Sequence, residues 1–292
     1  MERVSDIRCT VGESPTWSRA ESAWYWVDIP AKRVWRLDGA SGAVRFWTTT
    51  EMVACVAAKA GGGLIAGMET GIYSLELGEA EAAAQIKLAT PAAGLGAGMR
   101  FNDGRCDRQG RFWSGTMFMD MSAARAVGEL YRYDVARGIS APMVSELITQ
   151  NGLAFSPDGR TMYLSDSHPA RRMVWAFDYD IDEGVPSGRR VFADLAEYAG
   201  RPDGAAIDSD GCYWICGNDG GYVLRFTPDG KLDRRIDVPM LKPAMCAFGG
   251  KDMDTLMVTS IVSGKPEDAE WGGAVVLLRP GVQGVAETPF GL

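Results

Sequence analysis

Short apolar segments alternate with turns rich in glycine, aspartate and serine along nearly the whole chain, and no stretch has the pattern of a long amphipathic helix. A turn followed directly by a short apolar strand recurs six times. These strands cover residues 23–27, 64–66, 111–113, 161–164, 212–215 and 255–258. Successive copies lie roughly 40 to 50 residues apart, which is the length of one four-stranded propeller blade.

A second strand pattern follows each copy of the first. These segments cover residues 33–37, 71–75, 129–133, 173–177, 222–226 and 274–278. Most alternate apolar and polar residues, as half-buried strands do. Six copies predict an all-β fold, a six-bladed β-propeller formed by a single domain over residues 1–292. Two stacked β-sandwiches are the alternative, but they do not explain the common register of the copies.

Composition excludes several classes of partner. The chain has 292 residues, 46% of them hydrophobic, and a net charge of −8 without any lysine or arginine run. This balance argues against nucleic acid and against an anionic membrane surface. The first eight residues carry charges where a signal peptide needs an apolar core, and no segment approaches a membrane span of about 18 apolar residues. We therefore expect a soluble, cytoplasmic protein.

Cysteine and histidine usage limits the chemistry further. None of the six cysteines forms a C-x-x-C pair, so we expect small buried thiols in a reducing compartment. His168 is the single histidine, which excludes a multi-histidine zinc site. Any mechanism of the Ser-His-Asp or Cys-His type would have to use His168.

Polar side chains occupy the same place in successive repeats, directly before the innermost strand of a blade. Asn102, Asn151 and Asp203 stand there, each followed closely by a glycine. In a propeller all three would point at the central axis, and a ring of amide and carboxylate oxygens suits a hard divalent cation. Asn-Gly and Asp-Gly are also the commonest turn dipeptides. Their shared register favours a metal site at the mouth of the central channel over three unrelated turns.

The connections between the second and third strands of each blade should lie on the same face as these strand starts. Two of them are long, residues 117–128 and 261–273, and long loops on a rigid scaffold commonly form the walls or lids of a site. The polar residues that these connections bring to the face are Asp28, Glu69, Asp120, Asp166, His168, Asn218 and Asp219.

A run of motifs in fixed order identifies a family resemblance. The motifs are Gly12-Glu13-Ser14-Pro15, Arg100-Phe101-Asn102-Asp103-Gly104, Ser114-Gly115-Thr116-Met117, Asn151-Gly152-Leu153, Phe177-Asp178-Tyr179-Asp180, Pro202-Asp203-Gly204 and Phe248-Gly249-Gly250. With these motifs the chain resembles the SMP-30/gluconolactonase/regucalcin family over nearly its whole length. The resemblance implies a six-bladed propeller that hydrolyses a sugar lactone, a small-molecule aldonolactone, to the aldonic acid with a divalent cation.

The resemblance also implies roles for individual residues. Glu13, Asn151 and Asp203 match the family's metal ligands. Two carboxylates and one amide would neutralise a dication and leave coordination positions open. All-oxygen ligands favour Ca²⁺, with Mg²⁺ and Mn²⁺ as alternatives and Zn²⁺ compatible through its high affinity.

Substrate contacts follow from the same match. Arg100 and Asn102 correspond to residues that contact the substrate or lie beside the metal, and Asp120 corresponds to a substrate-facing carboxylate in the loop after Gly-Thr-Met. Asp203 is the predicted general base, because a ligand carboxylate can lie within hydrogen-bond reach of the attacking water. His168 is the alternative base.

Three other functions compete with an aldonolactonase. The first is a calcium-binding or regulatory propeller without turnover, the second an interaction propeller that binds a protein. The third is a related ester or organophosphate hydrolase on the same scaffold. The acidic and amide-rich strand starts argue against a protein-binding mouth, and Arg100, Asn102 and Asp120 argue for catalysis. A monomer and a small homo-oligomer are both compatible with the sequence.

Overall fold

Six antiparallel sheets follow one another along the chain and form the blades of a β-propeller in the computed structural model, which describes residues 1–291. The innermost strands (A) are Gly12–Ser18, Val53–Ala58, Met99–Cys106, Gln150–Phe155, Arg201–Ile207 and Pro243–Gly249. The second strands (B) are Ala23–Asp28, Leu64–Met68, Phe112–Phe118, Thr161–Asp166, Tyr213–Asn218 and Thr255–Ser260. The third strands (C) are Arg33–Asp38, Ile72–Glu76, Gly128–Asp134, Met173–Asp180, Tyr222–Phe226 and Val276–Leu278.

The outermost strands (D) complete the blades. They are Val44–Thr48, Ala84–Ala89, the two short strands Gly138–Ile139 and Val144–Leu147 of the third blade, Val185–Asp194, Leu232–Asp237, and Glu2–Arg3. All six predicted A-to-B turns and all six predicted C strands are therefore confirmed, and the two-sandwich alternative is excluded.

The ring is closed by the N-terminus of the chain. Glu2–Arg3 pairs antiparallel with Val276–Leu278 and supplies the outermost strand of the sixth blade, whose other strands come from the end of the sequence. The Val4 amide continues the ladder by donating to the Val275 carbonyl at 2.9 Å. Joining the two ends of the chain in one sheet leaves the propeller without an open gap between its first and last blades.

Aromatic side chains fill the space between neighbouring blades. Trp113 packs on Phe155 of the next blade, with ring centroids 6.1 Å apart, and Trp214 packs edge-on against Phe248 at 5.6 Å. Both tryptophans are fully buried. Removing a side chain of this kind from a core costs about 3–5 kcal/mol, so these contacts hold the blades together. The six cysteines are buried and free, as predicted.

The C-terminal segment, residues 281–291, crosses the end of the channel that is opposite to the starts of the A strands. Its backbone bonds to the ends of two inner strands: Val285 donates to Ile207 at 3.2 Å, and Phe290 donates to Ala58 at 2.8 Å. Glu287 reaches into the channel and pairs with Arg105. The segment therefore closes this end, and the end with the strand starts stays accessible.

The described residues include three single-turn 3₁₀ helices, Met121–Ala123, Leu195–Glu197 and Pro266–Asp268. Over residues 1–291, none of the helices has the length and apolar character needed to cross a bilayer.

Candidate active site

Every innermost strand has a register irregularity close to its start. The shifts fall between Glu13 and Thr16, Val53 and Cys55, Phe101 and Gly104, Asn151 and Ala154, Pro202 and Ala205, and Pro243 and Cys246. A β-bulge inserts an unpaired residue and turns the strand, which re-aims a side chain. The predicted residues Glu13, Asn102, Asn151 and Asp203 all lie at these bulges. The repeat thus delivers four polar side chains to the same end of the channel.

Two glycines make these bulges possible. Gly152 has a φ of +61°, and a Cβ there would lie 2.5 Å from Ser165 Oγ and 2.6 Å from Tyr213 Oη. Gly204 approaches the sixth blade so closely that a Cβ would lie 2.3 Å from Met245 Cγ. Gly152 is therefore required by its backbone conformation, and Gly204 is required by its close packing.

The pKa values of two carboxyl groups at this end of the channel, Glu13 and Asp203, are raised. Desolvation raises the pKa of Glu13 well above its usual range, and the charges of Asp203 and Asp103 raise it further, whereas Arg100 opposes the shift. Burial likewise raises the pKa of Asp203 to about 6, although Arg201 lowers it. Glu13 and Asp203 therefore lie close enough to repel each other, and the nearby Arg100 offsets only part of their charge.

Arg100 and Asn102 form one hydrogen-bonded unit with the fourth blade. Arg100 Nη1 donates to Asn102 Oδ1 at 2.7 Å and to the Phe101 carbonyl at 2.8 Å. Asn102 Nδ2 donates to the Gln150 carbonyl at 2.6 Å, directly before Asn151. Burial lowers the pKa of Arg100, while the charge of Glu13 opposes this. These bonds hold the guanidinium beside the carboxylates.

Asp120 lies apart from these residues, on the long loop of the third blade. Its side chain is exposed and caps the 3₁₀ helix Met121–Ala123, accepting from the Ser122 amide at 3.0 Å and from Ser122 Oγ at 2.5 Å. The bonds from Ser122 lower the pKa of Asp120. The structure thus places an ionised carboxylate on the loop without bringing it into the cluster around Asp203.

His168 holds this loop from the neighbouring blade. Its Nδ1 accepts from the Ala170 amide at 3.2 Å, so the neutral ring carries its proton on Nε2, which lies 3.1 Å from the Met121 carbonyl and donates to it. The His168 amide donates to Asp166 at 3.1 Å. With both ring nitrogens bonded, the geometry favours a loop-holding role for His168 over the role of general base.

Two residues beside Asp203 have contacts that the motif analysis did not predict. Asn218 Nδ2 donates to Asp203 Oδ2 at 2.5 Å, and Arg201 Nη2 donates to Asn218 Oδ1 at 3.2 Å. The sequence predicts Asn218 among the polar residues of this face, where the B strands of the first and fourth blades end in Asp28 and Asp166. No sequence pattern indicates Arg201.

The donor set suits a divalent cation. Glu13 and Asp203 supply two carboxylates that repel each other, and a cation would relieve this repulsion. Asn151, which is buried, supplies a neutral amide at the matching bulge of the fourth blade. Over the described part of the chain, no three His, Cys, Asp or Glu side chains gather as a metal site. The set therefore depends on the amide of Asn151 as its third donor.

Fold and site together define a class of protein: a six-bladed propeller with an oxygen-rich, charged cluster at one mouth of its channel. The chain belongs to the SMP-30/gluconolactonase family, since the family described as SMP-30/Gluconolactonase/LRE-like region matches residues 11–262.

Relatives span nearly the full length. A 6-deoxy-6-sulfogluconolactonase of Pseudomonas putida is 39% identical over 97% of this chain and 98% of its own. Regucalcin of Gallus gallus is 34% identical over 99% of this chain and 98% of its own. Among solved structures, the calcium-binding protein regucalcin of Agrobacterium tumefaciens has a TM-score of 0.88 and 25% identity, covering 100% of this chain and 97% of its own.

Proposed function

We propose that this protein hydrolyses a sugar lactone, an aldonolactone, to the aldonic acid, with a divalent cation held by Glu13, Asn151 and Asp203. The observation that carries the proposal is the placement of Glu13, Asn151 and Asp203 at matching β-bulges of three inner strands, at one mouth of the channel. Arg100, bonded to Asn102, lies at the start of another inner strand at the same mouth. The sulfogluconolactonase relative supports the reaction class, and the calcium-binding relative supports the cofactor.

Lactone hydrolysis places simple demands on the protein. Water adds to the ring carbonyl, the bond from the carbonyl carbon to the ring oxygen breaks, and a proton moves to that oxygen as the alcohol leaves. The cation, when bound, would supply Lewis-acid polarisation of the carbonyl. No covalent nucleophile is needed, which agrees with the inert character expected of buried thiols.

We assign the proton transfer to Asp203. Its Oδ2 is held by Asn218 at 2.5 Å, and within residues 1–291 its Oδ1 accepts no hydrogen bond. That free oxygen can receive the proton of the attacking water. The guanidinium of Arg100, which is half-buried, is proposed to bind sugar hydroxyls, because several of its N–H groups remain after the bonds to Asn102 and Phe101.

The loop that carries Asp120 is proposed as the outer wall of the substrate site. Asp120 is ionised and exposed, and the His168 contact holds the following residue, Met121, against the fourth blade. A carboxylate at the rim would accept hydrogen bonds from sugar hydroxyls. It would also repel a substrate that carries an acidic substituent on the same side. Rates for lactones with and without such a substituent should therefore be compared.

The decisive assay is pH-stat hydrolysis of a small lactone panel. The panel contains glucono-, galactono-, xylono- and arabinonolactone together with a 6-sulfonated gluconolactone, after the Pseudomonas putida relative. Each lactone is tested with chelated protein and with protein resupplied with Ca²⁺, Mg²⁺, Mn²⁺ or Zn²⁺, and spontaneous opening is subtracted.

Two matched variants accompany the assay. Asp203→Asn keeps the shape of the side chain and removes its charge, and we expect it to abolish metal-dependent acid release. Asp252→Asn makes the same change at an exposed turn on the opposite face and should leave the rate unchanged. Wild-type protein that binds Ca²⁺ and hydrolyses none of the lactones would refute the enzyme and support a calcium-binding propeller.

A further inference from the structure

The last residue of the B strand differs from blade to blade. In the first and fourth blades this residue is an aspartate, Asp28 or Asp166, and it pairs with the first residue of the A strand. Asn218 holds the same register in the fifth blade, opposite Arg201. All three side chains are buried, Asn218 completely.

The two aspartates accept hydrogen bonds from backbone amides. Asp28 accepts from the amides of Thr10 and Val11 at 2.9 and 3.1 Å. Asp166 accepts in the same way from the residues before the fourth A strand, at 2.9 and 3.0 Å. An ionised carboxylate has no proton to donate, so an aspartate at this position can fasten the strand start and cannot bond to a second carboxylate.

Asn218 instead bridges a cation and a carboxylate. Its Oδ1 accepts from Arg201 Nη2 at 3.2 Å, and its Nδ2 donates to Asp203 Oδ2 at 2.5 Å. Because arginine only donates, Arg201 dictates which end of the amide faces it and therefore turns the NH₂ group to Asp203. Arg201 is itself held by Asp219, 3.1 Å from its Nε, and Asp219 lies 3.0 Å from Lys242 Nζ of the sixth blade.

We propose that Asn218, oriented by Arg201, is a positioning residue that presents Asp203 to the cation and substrate. The amide occupies one carboxylate oxygen of Asp203 and leaves the other for the site. It also fixes the rotation of the Asp203 side chain. This inference rests on the proposed function, because the group presented is the predicted ligand and base.

The test compares Asn218→Ala with a matched control. Ser260→Ala removes a buried side-chain hydrogen bond, from Ser260 Oγ to the Ala274 carbonyl at 2.6 Å, at the same register of the sixth blade. That blade supplies none of the predicted ligands. Calorimetric titration of Ca²⁺ into chelated protein and thermal unfolding are measured for both variants and the wild type.

We expect Asn218→Ala to weaken Ca²⁺ binding by about 10- to 100-fold, the usual effect of losing a hydrogen bond that orients a metal ligand. At saturating Ca²⁺ its kcat should fall while KM for the lactone changes less than about twofold, since Asn218 lies behind Asp203 and not in the substrate site. Ser260→Ala should lower Tm without changing the Kd of Ca²⁺. Equal Kd values for wild type and a folded Asn218→Ala would overturn the proposal.

A second variant tests the positioning role if Asn218→Ala does not fold. Arg201→Met leaves the amide in place and removes the donor that orients it, so Ca²⁺ affinity should again fall. An unchanged affinity would overturn the role of Arg201. Wild-type protein that neither binds Ca²⁺ nor opens a lactone would refute the proposed function itself, whereas normal wild-type behaviour with unaffected variants would refute only the positioning role.

Discussion

Removing the charge of Glu287 should destabilise the propeller more than any single surface ion pair can. Glu287 Oε1 lies 2.5 Å from Arg105 Nη1 at the closed end of the channel, with side chains 20% and 8% exposed. In Glu287→Gln the guanidinium of Arg105 keeps its bond to the Ala205 carbonyl but loses its ion-pair partner, and within residues 1–291 its Nε has no hydrogen-bond partner. Leaving one member of a buried pair uncompensated costs about 3–5 kcal/mol.

The expected shift in Tm follows from the size of the chain. The unfolding entropy is about 2.1 cal/mol/K per residue, or roughly 0.6 kcal/mol/K for this chain, so a loss of about 3 kcal/mol lowers Tm by roughly 5 °C. Differential scanning calorimetry measures this directly. The control is Glu183→Gln, which breaks an exposed pair with Arg137, 3.0 Å apart and 62% and 56% exposed. An exposed pair contributes about 1 kcal/mol or less, so Tm should fall by under about 2 °C. Equal Tm shifts in the two variants would show that the Glu287–Arg105 pair contributes no more than an exposed ion pair.

Three further predictions concern the site. Gly152→Ala places a side chain on a residue with left-handed backbone beside Ser165, so the free energy of unfolding should fall by about 1–3 kcal/mol in calorimetry. Ca²⁺ binding at Asn151 should also weaken, and an unchanged Ca²⁺ affinity would contradict the role of the bulge. His168→Ala releases the Met121 carbonyl, so limited proteolysis within residues 119–127 should become faster and KM for the lactone should rise. An unchanged rate of proteolysis would argue against the role of His168 in holding the loop. Adding Ca²⁺ to chelated protein at about 100 times Kd should stabilise it by about 2.7 kcal/mol, and a Tm independent of Ca²⁺ would count against a resident cation.

The blade count could be predicted from sequence because each blade repeats a local pattern. A turn, an apolar strand and an alternating strand recur roughly every 40 to 50 residues, and each element is specified within about ten residues. The closing strand Glu2–Arg3 could not be predicted in this way. Its two residues carry no strand pattern, and their pairing with Val276–Leu278 joins the two ends of the chain.

The site was predictable to the extent that it follows the repeat. Asn102, Asn151 and Asp203 each precede a glycine by one or two residues, and the structure places each at a β-bulge of an inner strand. Asn218 could be assigned to this face of the propeller from the sequence, but its 2.5 Å bond to Asp203 could not be predicted. Contacts between blades depend on the closed ring, which no local pattern encodes.

The proposed cation site can be observed by anomalous diffraction from crystals of the Ca²⁺-loaded protein. We expect one strong peak at the mouth of the channel, about 2.3–2.6 Å from side-chain oxygens of Glu13, Asn151 and Asp203. The peak should be absent from crystals of Asp203→Asn. A well-ordered structure that has no peak among these three residues, from protein that still hydrolyses lactones after chelation, would contradict the central claim.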